Sequence, residues 1–250
     1  MTPANTLLLI ADISGYTRFL KFHRTSLVHA QDIVAQLLEA VIGAVTPAMK
    51  LAKIEGDAAF FHAPVPIDDT TLAGHAAAIF TAFHTRRNDL KTNAMCPCDG
   101  CQQADALKIK LVGHVGLVAQ QKIARRVELA GVDVVLVHRL LKNSVPTPEY
   151  LLVTDSLLPH LAATERARAT ALPIEIEELG AVDTYYVDLA LLHADAPVVP
   201  VRQPFMARLA RHVSLTVRSL PYIVGARKAC SGFRNVADVA GTLVVTHGEH

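Results

Sequence analysis

Apolar residues run from Leu7 to Ala11 without interruption, a stretch of strand length that ends on one carboxylate, Asp12. Ser14-Gly15 then allows a sharp turn, and Thr17 opens a segment with a different period. There Phe19, Leu20, His23, Leu27, Ile33, Val34, Leu37, Leu38, Val41 and Ile42 recur at three- and four-residue steps, the spacing of helices laid on a sheet. The stretch from Met49 to His62 reads as a hairpin, with apolar strands on both sides of Glu55-Gly56-Asp57. Its turn puts Asp57 at a strand tip, like Asp12. Pro64 and Pro66 close it, and Ala73 to Leu90 is an alanine-rich helix with Ile79, Phe80 and Phe83 inward.

The second half alternates in the same way. Leu107 to Val118 predicts a strand, and Val132 to Leu141 fits strand or helix by periodicity alone. Tyr150 to Thr154 predicts a short strand, and Ser156 to Ala169 a helix ending near Pro173. Ile174 to Glu177 and Thr184 to Leu189 predict a final strand pair joined through Gly180. Strands alternating with helices, together with hairpin signals, predict an α/β sandwich with a mixed or antiparallel sheet. Around Pro197, Pro200 and Pro204 the composition changes. Residues 1–193 are therefore the expected domain, with a Cys-rich insertion at 94–105, and 194–250 a linker and extension. From Arg202 to Arg234 there are seven Lys or Arg residues and no Asp or Glu. Phe205, Leu209, Val213, Val217 and Leu220 fall on one line there, with Arg208, Arg211, His212 and Arg218 off it. The expectation is an amphipathic helix docked on the domain with its basic face solvated. Contact of residues 205–234 with an acidic membrane surface, a partner protein or, non-specifically, nucleic acid is the alternative.

Composition narrows the class. A chain of 250 residues that is 51% apolar and 19% charged has material for a substantial core. A net charge of +1 exerts no overall pull toward nucleic acid, so no specific nucleic-acid binding is expected. No basic run precedes Leu7, so the cytoplasm is the expected compartment, with a membrane-peripheral position through the tail as the alternative. In a reducing compartment Cys96, Cys98 and Cys101 read as structural zinc ligands, redox thiols or unligated loop residues. Zinc would need a fourth ligand, for which Cys230, His84, His75 or a second subunit's loop qualifies.

Asp12 at a strand end followed by a Gly turn suits hard cations and phosphate, though a plain turn and helix cap has the same signature. The series of motifs is more specific. Ala11-Asp12-Ile13-Ser14-Gly15-Tyr16-Thr17, then Lys53-Ile54-Glu55-Gly56-Asp57, resembles the catalytic domain of class III nucleotidyl (adenylate/guanylate) cyclases. Gly113-His114-Val115-Gly116, Gly131 with Arg139 eight residues on, and Gly180-x-Val182-x-Thr184-Tyr185-x-Val187 continue the match across roughly residues 5 to 190. The Cys insertion and the Leu-Leu-Lys-Asn run at 140–143 resemble a divergent bacterial cyclase-like branch of unknown function.

The resemblance implies a ferredoxin-like cyclase sandwich working as a homodimer with shared sites on a nucleoside triphosphate. It implies two divalent metals, Mg or Mn, on Asp12, Asp57 and the Ile13 carbonyl, and phosphate on the backbone of Ile13, Ser14, Gly15, Tyr16 and Thr17. Lys53 and Glu128 match the base-reading positions, and Arg139 the arginine that stabilises charge on phosphorus. The chain also departs from the pattern. Val135 stands where the family has Asn, and Glu177 or Glu178 where it has a triphosphate-binding lysine. If the helix continues past Leu141, Lys142 or Asn143 is placed to replace the lost groups. The expectation is thus a metal-dependent cyclase, or a catalytically degenerate cyclase-fold homodimer that senses a nucleotide or metal or acts as a scaffold.

Overall fold

The computed structural model describes residues 2–17, 19, 27–65, 69–95, 104–193, 200–224 and 226. Its elements are β1 (Ala4–Ser14), α1 (Leu27–Val45), β2 (Lys50–Glu55), β3 (Ala58–Pro64), α2 (Asp69–Thr92), β4 (Lys108–Ile123), β5 (Arg126–Ala130) and α3 (Val132–Arg139). There follow β6 (Tyr150–Thr154), α4 (Ala163–Arg166), β7 (Thr170–Ala171), β8 (Ile174–Ile176), β9 (Gly180–Val182), β10 (Thr184–Asp188), α5 (Leu189–Leu192) and α6 (Phe205–Ile223). The main sheet runs β2-β3-β1-β4-β6-β10-β7, with β5 added to the far end of β4. Only β4 and β6 run parallel among its pairs; the rest are antiparallel. This is the expected α/β sandwich with a mixed sheet.

β1 is central, hydrogen-bonded to β3 on one side and β4 on the other. Successive side chains of a strand point to opposite faces, so its apolar run feeds two layers. Leu7, Leu9, Ala11 and Ile13 enter the larger core, where Ile33, Leu37 and Val41 of α1 and Ile79 and Phe83 of α2 cover the sheet. Leu8 and Ile10 face the other way, into a smaller core with Phe60, Val112, Val137 and Leu152. Asp12 has the parity of Leu8 and Ile10, which puts its carboxylate on the α3 side of the sheet. Residues Val28–Val45 of α1 are long and apolar enough to cross a membrane, yet Ile33, Val34, Leu37, Leu38 and Val41 are buried against the sheet.

Several expectations change in the fold. The ambiguous segment after Gly131 is a helix, and it ends at Arg139, short of Leu141. The helix predicted from Ser156 to Ala169 is two short pieces, a 3-10 turn at Leu158–His160 and the four-residue α4. Leu161 and Ala162 take extended backbone, at ψ 146° and 150°, and so interrupt the helix between the two pieces. Ile174 and Thr184 do not belong to one hairpin. β8 pairs with β9 in a separate two-stranded ribbon, while β10 returns to the main sheet between β6 and β7. Cys96, Cys98, Cys101 and Cys230, and with them the zinc expectation, lie outside the described residues. His84, named as a fourth ligand, is instead bonded to the buried Glu149, Nε2 to Oε1 at 2.9 Å.

The C-terminal segment is attached through its polar residues. Asn93, buried at the end of α2, donates from its side-chain amide to the Val201 carbonyl at 2.8 Å and accepts from the Gln203 N–H at 2.8 Å. Asp89 accepts from the Val201 N–H. Arg211 of α6 is paired with Asp32 of α1 at 2.8 Å, and Arg208 donates to the Asn93 carbonyl. The expected orientation of α6 is therefore reversed: Arg208, Arg211 and His212 turn toward the domain, and the apolar line faces out.

Candidate functional site

The end of β1 and the β2–β3 turn are joined by the backbone. The Ile13 N–H donates to the Asp57 carbonyl at 3.1 Å, so the two carboxylate-bearing motifs are fixed side by side. Gly56 makes the turn at φ +63°, a left-handed conformation that glycine adopts without steric cost. Gly15 does the same at φ +89° after β1, and a Cβ there would stand 3.2 Å from the Ala106 carbonyl oxygen. The Phe19 N–H closes that turn on the Gly15 carbonyl at 2.8 Å.

Electrostatics show what this proximity does. Burial, and then the negative charge of Asp12, raise Asp57 to about 6, against smaller downward pulls from its own backbone and Lys110. Burial and the Asp57 charge likewise push the Tyr16 phenol up. Lys110, opposite Asp12 in the β1–β4 register, reaches the Asp12 carboxylate with Nζ to Oδ2 at 2.8 Å. Its side chain is 20% exposed and that of Asp12 is 15%, so the pair lies largely out of water. Sequence reasoning missed Lys110. It lies within the stretch predicted as a strand, and only the cross-strand register sets it against Asp12. The result is two carboxylates, one of them short of counter-charge, beside one ammonium and a backbone turn.

Other predicted residues fall into two separate places. Lys53 and Glu128 line one cleft between β2 and β5 with Ala52, Phe60 and Val134. Lys53 is ion-paired there with Glu55, which also meets His138 Nδ1 at 3.3 Å. Arg139 donates to the Glu177 carbonyl at 2.9 Å and to the Glu178 carboxylate at 3.0 Å, at the β8–β9 turn. The positions expected to hold a phosphate-binding lysine therefore contact a cation borrowed from α3. Val135 is 48% exposed on that helix. Asn143 does not fill the Asn position, since its side chain accepts from the Tyr150 hydroxyl and the Val145 N–H and donates to the Leu140 carbonyl.

Gly113-His114-Val115-Gly116 has a structural job. His114, buried, bonds Thr154 through Nδ1 at 2.8 Å and Asp133 through Nε2 at 2.9 Å. Asp133 also accepts the Leu117 N–H, which ties the start of α3 to β4. Ser156, 3.2 Å from His114 Nδ1, completes a Ser-His-Asp series. Its hydroxyl proton goes to the Val115 carbonyl at 2.8 Å, however, so the imidazole is not poised to accept it. A Cβ on Gly116 would come 2.2 Å from Asp133 Cγ, which explains the glycine.

A cation at Asp12 and Asp57 would meet hard oxygen donors, the kind that Mg and Mn prefer. Asp57 at about 6 is a carboxylate lacking full compensation, which an added cation would relieve. The donor set therefore fits divalent metals. Among the described residues no group of three or more His, Cys, Asp or Glu side chains forms a metal cage. Protein ligation would rest on the two carboxylates and a backbone carbonyl.

Comparison with known proteins places the family and the fold. Residues 34–150 match a family model described as "Protein of unknown function (DUF2652)". Uncharacterized protein Rv2561/Rv2562 of Mycobacterium tuberculosis is 45% identical over 203 residues, 81% of this chain and 94% of that protein. Among solved structures, the adenylyl cyclase CyaB from P. aeruginosa superposes with a TM-score of 0.51 at 16% identity, over 74% of this chain and 94% of that one. The guanylate cyclase domain of RhGC from Catenaria anguillulae, solved in complex with GTP, gives 0.51 at 16% identity over 74% and 96%. These two likenesses show the fold: a class III cyclase catalytic-domain sandwich. The chain belongs to the family of the mycobacterial Rv2561/Rv2562 protein.

Proposed function

We propose that the protein is a divergent class III nucleotidyl cyclase-like enzyme acting on a nucleoside triphosphate, with two divalent cations, Mg or Mn, in a homodimer. The observation that carries this reading is the joining of Asp12 and Asp57 by the Ile13–Asp57 backbone bond, with Asp57 held near 6 by burial and by Asp12. Cyclisation forms a bond from the ribose 3′-oxygen to the α-phosphorus and breaks the bond to pyrophosphate, and the 3′-hydroxyl proton must leave. Bound divalent cations would supply Lewis acidity to that oxygen and neutralise the triphosphate. Asp12, Asp57 and the Ile13 carbonyl would hold them. The turn from Ser14 to Thr17 would offer backbone N–H groups to phosphate oxygens, and Lys110 a fixed cation beside them. Lys53 and Glu128, sharing one cleft, would read the base. Exposed Leu117, Ile123, Val127 and Val132 on β4, β5 and the start of α3 offer an apolar face for a second subunit, and Arg139 would act from across it.

The test is incubation of the purified chain with Mn²⁺ and each of the four triphosphates, Asp57→Ala serving as control. Cyclic product above the control supports catalysis; none from any triphosphate sinks it. Arg139, held by Glu178, and Val135, which cannot hydrogen-bond a ribose, favour a second reading: a cyclase-fold module that binds a nucleotide without turning it over. A Tm raised by a triphosphate with Mn²⁺, without product, would support that reading.

A further inference from the structure

On α6, Met206, Ala210, Val213, Val217 and Leu220, followed by Val224 just past its end, are spaced four, three, four, three and four residues apart. That is the repeat of a coiled-coil seam, with Ala210, Val217 and Val224 at a positions and Met206, Val213 and Leu220 at d. All six are exposed, Met206 at 69% and Val217 at 62%. The flanking e and g positions, Ala207, Leu209, Ser214, Thr216 and Pro221, carry no charge. The opposite side of the helix is the docked one, with Leu215 and Ser219 buried and Arg211 paired to Asp32. α6 runs through Pro221 to Ile223, and the Val224 N–H still bonds the Leu220 carbonyl at 3.0 Å, so the seam continues past the proline.

We infer that this stripe is a self-association surface, on which α6 of a second copy of the chain packs seam to seam. Two observations select that occupant. First, a helix lying in a lipid surface needs cations flanking its apolar face on both sides, and here Arg208 and Arg211 are turned inward onto Asn93 and Asp32, which leaves Arg218 as the one exposed arginine of α6. Second, an apolar seam with uncharged borders is complementary to itself, because Arg208, Arg211 and Arg218 lie at b and f positions and do not meet across it. The surface is separate from the face around Ile123 and Val127, so the inference stands or falls independently of the proposed chemistry.

Sedimentation equilibrium of the full chain tests it, comparing wild type with V217E/L220E and V217A/L220A. Association through the stripe is expected below about 100 µM in wild type, about tenfold weaker in the alanine pair and weaker still in the glutamate pair, whether it starts from a monomer or from a dimer already formed on the Ile123–Val127 face. Because the stripe is exposed in the monomer, the Tm of the dissociated variants is expected to match that of dissociated wild type. The alanine pair, which keeps helix propensity, carries the test if the glutamate pair unfolds. R218E, off the seam, is expected to associate like wild type. A monomeric wild type overturns the inference. So does association that both double variants leave unchanged, which would assign the dimer to another face. Flotation of wild type, but not V217A/L220A, with anionic phosphatidylglycerol vesicles would overturn it in favour of lipid.

Discussion

Lys110 Nζ lies 2.8 Å from Asp12 Oδ2, an ion pair across two central strands at the point where the sheet opens on its α3 side. A carboxylate this enclosed needs either that ammonium or another cation. Lys110→Met keeps the length and apolar stem of the side chain while removing its charge. It is expected to lower stability at pH 8 by about 2 kcal/mol, because the half-buried Asp12 charge loses its partner beside Asp57. Urea unfolding measures it. Millimolar Mn²⁺ should recover part of the loss in Lys110→Met. A loss below about 0.5 kcal/mol would mean that water already screens the pair.

Asp57 gives stability a distinct pH dependence. Its folded-state pKa, about 6, lies above the usual carboxylate range, so between about pH 4 and 6 the folded chain holds a proton that the unfolded chain has released. Stability from this group is therefore full below that window and falls as pH rises through it. Asp57→Asn is expected to stabilise the chain by about 1 kcal/mol at pH 8, after discounting for partial solvent access, and by little at pH 4. Thermal melts of both chains at the two pH values decide it. An equal shift at both would remove the charge explanation.

Gly116 and Asp133 make a steric prediction. Gly116→Ala places a methyl where the Asp133 carboxyl stands, 2.2 Å from Cγ, so Asp133 must move off both His114 and the Leu117 N–H. The expected cost is about 3 kcal/mol, from overpacking and a broken buried network. Asp133→Ala alone should cost about 2 kcal/mol, leaving His114 short of one partner. In Gly116→Ala/Asp133→Ala the clash with the carboxyl is gone and only the Cβ of residue 133, 2.5 Å from the new methyl, still has to give, so the double variant should lose less than the sum of the two single losses. Denaturant titration of all three chains provides the comparison.

Asn93 holds the segment that leads into α6. Asn93→Ala removes the acceptor of the Gln203 N–H and the donor to the Val201 carbonyl. A loss of about 2 kcal/mol is expected. Hydrogen exchange should accelerate most at residues 201–203 and in α6. Uniform acceleration across the sheet would mean that Asn93 supports the whole fold instead.

The order of elements was legible in the chain wherever one physical rule decided it. The run from Leu7 to Ala11 could only be buried strand, and the three- and four-residue spacing through Leu37 and Val41 could only cover a sheet. The Asp12 and Asp57 motifs were readable because a carboxylate followed by a turn glycine is a local pattern. Other features depended on which strand lies beside which. Lys110 was one residue of a predicted strand until the register set it against Asp12. The strand pair expected around Gly180 separated because β10 found better partners in β6 and β7 than in its sequence neighbour. The tail shows the difference most plainly. Amphipathic spacing located α6 and its two faces, but not which face would dock. Asp32 and Asn93, distant in sequence, offered ion pairing and hydrogen bonds to the basic side, and so left the apolar line outside. Periodicity records what one segment can bury; only the assembled fold determines what is there to receive it.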